Sequence, residues 1–185
     1  NVGLRGVPLS TKIDLEQRFV PATIGESYAQ IVADMEKGTT LLTVDDQVKG
    51  VNYRFSKRAA HAMASRVHLY RGEWQQAIDA AKKALAINDK LVDLNVAGSQ
   101  LPNDFESVEM IMALEKVSIP EVRSSSFISP SLLSAYSDGD LRKERYFQKR
   151  SGDYVSLKGG DNRFNVSFRN ADLYLTMAEC YVRLG

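Results

Sequence analysis

Two helical patterns flank the segment Tyr70-Arg71-Gly72-Glu73-Trp74, and together they run from Arg54 to Ile87. The first places Phe55, Ala59, Ala62, Met63, Val67 and Tyr70 on or near one packing face. The second answers with Trp74, Ala77, Ile78, Ala81, Ala84 and Leu85, while Glu73, Gln75, Gln76, Asp79, Lys82 and Lys83 mostly fall elsewhere around the helix. Gly72 turns the chain at little steric cost, and so short a connection predicts antiparallel packing. The alanines and Ser65 allow close approach of the two helices. Asn88-Asp89 marks the stop.

The opening half of this hairpin returns at the C-terminus. Aligning Gly72 with Gly185 sets Ala64 beside Met177, Ser65 beside Ala178 and His68 beside Tyr181. A first helix of this kind exposes an apolar face that a following helix normally covers, so the sequence reads as a piece of a longer protein.

Upstream, Thr23 and Glu26 have capping-box spacing, and Ile24, Tyr28, Ile31, Val32 and Met35 follow at helical intervals. Gly38 is expected to close that helix, with residues 39–49 as a polar connection. Residues 1–9 show no clear element start and no processing signal. Beyond the hairpin, Met110, Ile111, Met112, Leu114 and Val117 form an apolar run that suits a short buried strand or a helical turn, and a strand over 109–115 is preferred. Leu132, Leu133 and Tyr136 suggest a short helix ended by Ser137-Asp138-Gly139-Asp140. Short strands are expected over 145–149, 154–158 and 164–168, separated by Ser151-Gly152-Asp153 and Gly159-Gly160-Asp161.

Composition limits the function. With 24 basic against 23 acidic residues there is no nucleic-acid footprint, although Arg142, Lys143 and Arg145 form a local basic cluster. The hydrophobic content of 44% over 185 residues is enough for a core. No stretch is apolar for the length of a membrane span. The lone cysteine, Cys180, lies in an apolar helical pattern and reads as a small buried hydrophobe.

Chemistry-bearing motifs are sparse. His61 and His68 share a helical spacing, but only Glu73 is a nearby carboxylate, so helix-surface histidines are expected rather than a metal site. Asp138, Asp140 and Glu144 do not continue as a calcium loop, and a turn with Arg142 or Arg145 pairing to Asp138 or Asp140 explains them. Ser124-Ser125-Ser126 lacks a nucleophile elbow, and Gly159-Gly160 has no phosphate-loop continuation. No catalytic residue, metal or cofactor is assigned. Tyr146, Phe147 and Tyr154 are candidates for stacking on a sugar ring, with Arg145, Asp161 and Asn162 bonding to hydroxyls; strand packing is the competing account of the aromatics.

Taken in order, these landmarks resemble the SusD/RagB family of nutrient-binding lipoproteins of Bacteroidetes. The resemblance rests on Gly6-Val7-Pro8-Leu9 before the helix of Tyr28 to Met35, then Lys57-Arg58-Ala59-Ala60, then Leu69 to Trp74 with Ala77. It continues through Asp140-Leu141-Arg142 to Arg169-Asn170-Ala171-Asp172 and the helix reaching Ala178-Glu179, with Ala171-Asp172 where Ala-Glu is commoner. It implies a mainly α fold of tetratricopeptide-like hairpins, with an irregular ligand-binding excursion containing short strands. The implied division is a partial family domain over 1–185, a hairpin over 54–87, an excursion over 88–168 and the first helix of a later hairpin over 169–185. The implied function is non-catalytic capture of an oligosaccharide or related nutrient for a TonB-dependent transporter. The resemblance also implies an outer-membrane, cell-surface location through an N-terminal lipid absent from this sequence. The competing reading is an intracellular tetratricopeptide-like scaffold that binds a peptide; an enzyme on the same scaffold ranks below it.

Overall fold

A computed structural model describes residues 2–101, 104–115, 127–157 and 164–185. Among them the chain is mainly helical with short strands, in two compact units, 1–43 and 44–185. None of the described helices is long and apolar enough to cross a membrane.

In the first unit, β1 (Arg5–Pro8) pairs antiparallel with β2 (Pro21–Thr23), and α1 (Ile24–Leu41) follows directly. The strand pair was not expected from residues 1–9. Its prolines lie opposite one another at the end of the ladder, where a missing N–H costs no central hydrogen bond. The capping box forms in full: Thr23 Oγ1 accepts from Glu26 N at 3.1 Å, and Glu26 Oε2 accepts from Thr23 N at 2.8 Å. Helix α1 runs three residues past Gly38, correcting the expected stop. The Thr39 and Thr40 hydroxyls bond back to the carbonyls of Met35 and Lys37, which accommodates both residues in the last turn.

In the second unit, α2 (Lys57–Arg71) and α3 (Trp74–Ile87) pack as an antiparallel hairpin. Ser56 caps α2, its hydroxyl accepting from Ala59 N. Gly72 closes it at φ 74°, a left-handed conformation that a side chain would strain. Ala59 and Ala62 meet Ala81 and Ala84 in one buried cluster, and Ser65, fully buried, donates to the Ala77 carbonyl at 2.9 Å. Small side chains thus bring the two backbones close, and the buried Ser65 hydroxyl between them is satisfied. Two expected face residues are displaced. Phe55 precedes the cap and is 42% exposed, while Tyr70 is 77% exposed and Leu69, one position earlier, packs against the Ala77, Ile78 and Cys180 cluster instead.

Strand β3 (Met110–Glu115) pairs antiparallel with β6 (Phe164–Arg169), which leads straight into α6 (Asn170–Leu184). Its apolar run lacks alternation for a physical reason. Ile111 and Met112 join the helical core with Leu173, whereas Met110 and Ala113 pack with Phe105, so the four side chains from Met110 to Ala113 are all covered while Leu114 is exposed. Helix α6 packs on α3, burying Cys180 against Ala77 and Ile78, and α3 therefore has α2 and α6 as neighbours.

A buried arginine joins these parts. Arg58, 1% exposed in the first turn of α2, donates to Asp46 Oδ2 and Asn170 Oδ1, both at 2.7 Å, and to the Met110 carbonyl at 3.4 Å. Asn170 donates through its side chain to Lys90 O and through its backbone to Glu109 O. Burial pushes the Arg58 pKa down and the Asp46 charge pushes it back; a guanidinium stays protonated under both.

Candidate functional site

Four of the six expected ligand contacts, Arg145, Tyr146, Phe147 and Tyr154, fall in a short β-hairpin and the helix that feeds it. After α4 (Pro130–Ser134), Gly139 at φ 82° reverses the chain, and Asp140 caps α5 (Leu141–Tyr146) by accepting from Arg142 N at 3.0 Å. Arg145 and Tyr146 therefore end a helix rather than begin a strand, correcting the expected strand over 145–149. Strand β4 (Phe147–Arg150) starts two residues later than expected and pairs with β5 (Asp153–Ser156). Ser151 and Gly152 both have positive φ, 51° and 100°, the pattern of a type I′ turn between strands. A bridge from Phe127 to Val155 adds to the other edge of β5.

The register determines what the hairpin presents. Phe147 lies opposite Ser156 and Lys149 opposite Tyr154, so these four share one face. Phe147 is 7% exposed and meets the Tyr136 ring edge-on, with centroids 5.5 Å apart. It packs rather than waits for a ligand in this conformation. Tyr154 is half-buried, beside exposed Lys149.

Arg145 is also engaged. Its guanidinium donates to Ser99 O at 2.5 Å, Ser99 Oγ at 3.2 Å and Leu94 O at 3.4 Å, fastening the segment before β3. It pairs with neither Asp138 nor Asp140; Arg142 takes Asp140, at 2.6 Å, and holds that carboxyl below the usual range through its hydrogen bonds. The Arg142 guanidinium also lies 5.4 Å from the Tyr136 ring centroid. Tyr146 is half-buried, and burial pushes its phenol pKa up, with a further push from Glu109 opposed by Arg169 and Arg142. Asp161 and Asn162 lie outside the described residues.

The structure thus gathers Arg145, Tyr146 and Phe147 at one helix–strand junction and sets Tyr154 across the hairpin on the Phe147 face. The Arg142–Tyr136 pair was missed as a companion feature. Its signal lay in the Gly139 turn, which folds the residues before and after it together. Elsewhere, His68 is not a helix-surface histidine: its Nδ1 lies 2.6 Å from Glu73 Oε2, with its side chain 18% exposed. Among the described residues no group of three His, Cys, Asp or Glu side chains is placed to hold a metal ion.

The wider scaffold matches known structures. Residues 3–69 match a family model described as starch-binding, associating with the outer membrane. No curated protein sequence matches the chain. A SusD-like carbohydrate binding protein from Bacteroides vulgatus superposes with a TM-score of 0.77 at 19% identity, over 98% of this chain and 45% of that one. The fold is that of the SusD-like proteins. A SusD superfamily protein from Bacteroides thetaiotaomicron gives 0.78 at 20% identity, over 100% of this chain and 49% of its own. Surface glycan-binding protein A from Bacteroides uniformis gives 0.67 at 13%, over 100% and 51%. The SusD-like fold here spans about half the length of these solved relatives.

Proposed function

We infer that the protein captures an oligosaccharide or related nutrient at the cell surface and passes it to a TonB-dependent outer-membrane transporter without cleaving it. The observation that carries this reading is the likeness over almost the whole chain to structures named for carbohydrate and glycan binding, together with the outer-membrane description of the family model. Anchoring through an N-terminal lipid belongs to the same reading. The α2–α3 pair serves as a tetratricopeptide-like hairpin over 54–87, α6 opens a later one over 169–185, and 88–168 is the ligand-binding excursion inserted between them, all within a partial domain over 1–185.

Within that excursion Tyr154 and Tyr146 are the aromatic candidates for a sugar face, with Asp161 and Asn162 as hydroxyl partners. Arg145 is engaged with Leu94 and Ser99, and Phe147 with Tyr136. Stacking uses the apolar face of a pyranose, and the polar edges select among sugars. The test is saccharide affinity of Tyr154→Ala and Tyr146→Ala against wild type. Loss of one stacking contact is expected to weaken binding about tenfold, a cost of about 1.4 kcal/mol. Unchanged affinity in both variants removes these residues from the site.

A further inference from the structure

We propose that the saccharide taken at the β4–β5 hairpin is an acidic one, carrying a carboxylate or a sulfate, and that Lys149 is the residue that selects it. The inference rests on the capture reading above and assigns the class of its ligand.

Register sets the lysine beside the aromatic candidate. Lys149 stands directly opposite Tyr154 in the antiparallel pair, so the two side chains leave the same face of the hairpin. Residues opposed in this way have Cβ atoms about 4.5–5.5 Å apart. Towards the other end of that face Phe147 is buried and meets the Tyr136 ring. The open end is therefore the half-buried Tyr154 with the exposed Lys149 at its side. A pyranose lying on the Tyr154 ring brings the substituents on its edge within reach of an ammonium carried on a flexible four-carbon stem.

Charge at this site is left uncancelled. Among the described residues Lys149 forms no ion pair, and Arg145 is held by neutral oxygens, those of Ser99 and Leu94, which anchor its charge without neutralising it. Asp140 is committed to Arg142 at 2.6 Å, and Asp153 lies opposite Arg150 on the other face of the hairpin. Between Leu141 and Ser156 the basic residues Arg142, Lys143, Arg145, Lys149 and Arg150 outnumber the acidic Glu144 and Asp153, in a chain whose formal net charge is only +1. A carboxylate or sulfate at the sugar edge accepts charge-assisted hydrogen bonds from the ammonium, whereas a neutral sugar leaves that charge in water. Because Lys149 is exposed the gain is modest, and it acts on the choice between ligands more than on total affinity.

The experiment is calorimetric titration with hexagalacturonate, hexamannuronate and a sulfated κ-carrageenan hexasaccharide, each against its uncharged counterpart, the methyl ester or the desulfated chain. Maltohexaose and laminarihexaose serve as neutral probes. At low salt at least one acidic chain is expected to bind about fivefold tighter than its counterpart, the upper range for one exposed ion pair. The preference should fade towards about 1 M salt, where the Debye length is about 3 Å. Lys149→Gln removes the preference and Lys149→Glu inverts it, whereas a lysine with a structural role alone would change both members of a pair equally. Equal affinity for acidic and uncharged members, binding confined to the neutral probes, or a preference that survives in Lys149→Gln overturns the proposal and leaves capture standing. Binding of no saccharide at all removes the capture reading, and this inference with it.

Discussion

Arg58 shows how one residue can commit a chain to a tertiary arrangement. Its guanidinium bonds to Asn170, 112 positions away, and to Asp46 and Met110, so three strand and helix starts converge on one buried charge. Removing the cation while keeping the stem leaves Asp46 and Asn170 without it. Arg58→Met is expected to cost about 3 kcal/mol, the low end for breaking a buried pair, because Asp46 is 25% exposed and can rehydrate. A shift in the denaturant midpoint measures this. A double-mutant cycle with Asn170→Ala should return an interaction of about 1–2 kcal/mol; additive effects would mean the 2.7 Å contact couples nothing. Both residues stand inside sequence landmarks, Lys57-Arg58-Ala59-Ala60 and Arg169-Asn170-Ala171. That they touch was not legible, because spacing along a chain carries no information about contacts between segments so far apart.

Individual elements were legible where one local signal determined the backbone. The Thr23–Glu26 box, the Gly72 stop and the alanine stripe of α3 all fold as their residue types dictate. The junction at Tyr146 was not, since three aromatic or basic residues in a row suit a strand until the Asp140 cap starts a helix upstream. Two predictions belong at this scale. Hydrogen bonds from Thr23 depress the Glu26 pKa in the folded state, so their contribution is present at neutral pH and is lost as pH falls through the folded value. The circular-dichroism signal of α1 should weaken below the usual carboxylate range, and Glu26→Gln, which keeps an acceptor without the titration, should flatten that dependence. In the β4–β5 turn, Ser151 holds a left-handed conformation at φ 51° that asparagine tolerates better. Ser151→Asn is expected to stabilise the protein by about 0.5 kcal/mol, read from the thermal midpoint; a lower midpoint would contradict the turn geometry.

At the scale of the molecule, a hairpin of small residues supports a strand pair on one side and α6 on the other, while Arg145 fastens the α5–β4–β5 segment to the loop at Leu94 and Ser99 and Phe147 packs it on Tyr136. The helical scaffold could be anticipated because period and turn chemistry are local properties. The candidate site could be anticipated only as a region: which aromatic packs and which faces solvent depends on register, and register came from pairing. Capture without cleavage is the claim that gives the excursion its purpose. It is tested most directly by titrating the protein with a panel of oligosaccharides by calorimetry and analysing each mixture afterwards for chain length. Saturable binding to at least one saccharide, recovered at its original length, is the predicted result; no saturable binding to any member of the panel, or the release of shortened chains, would contradict it.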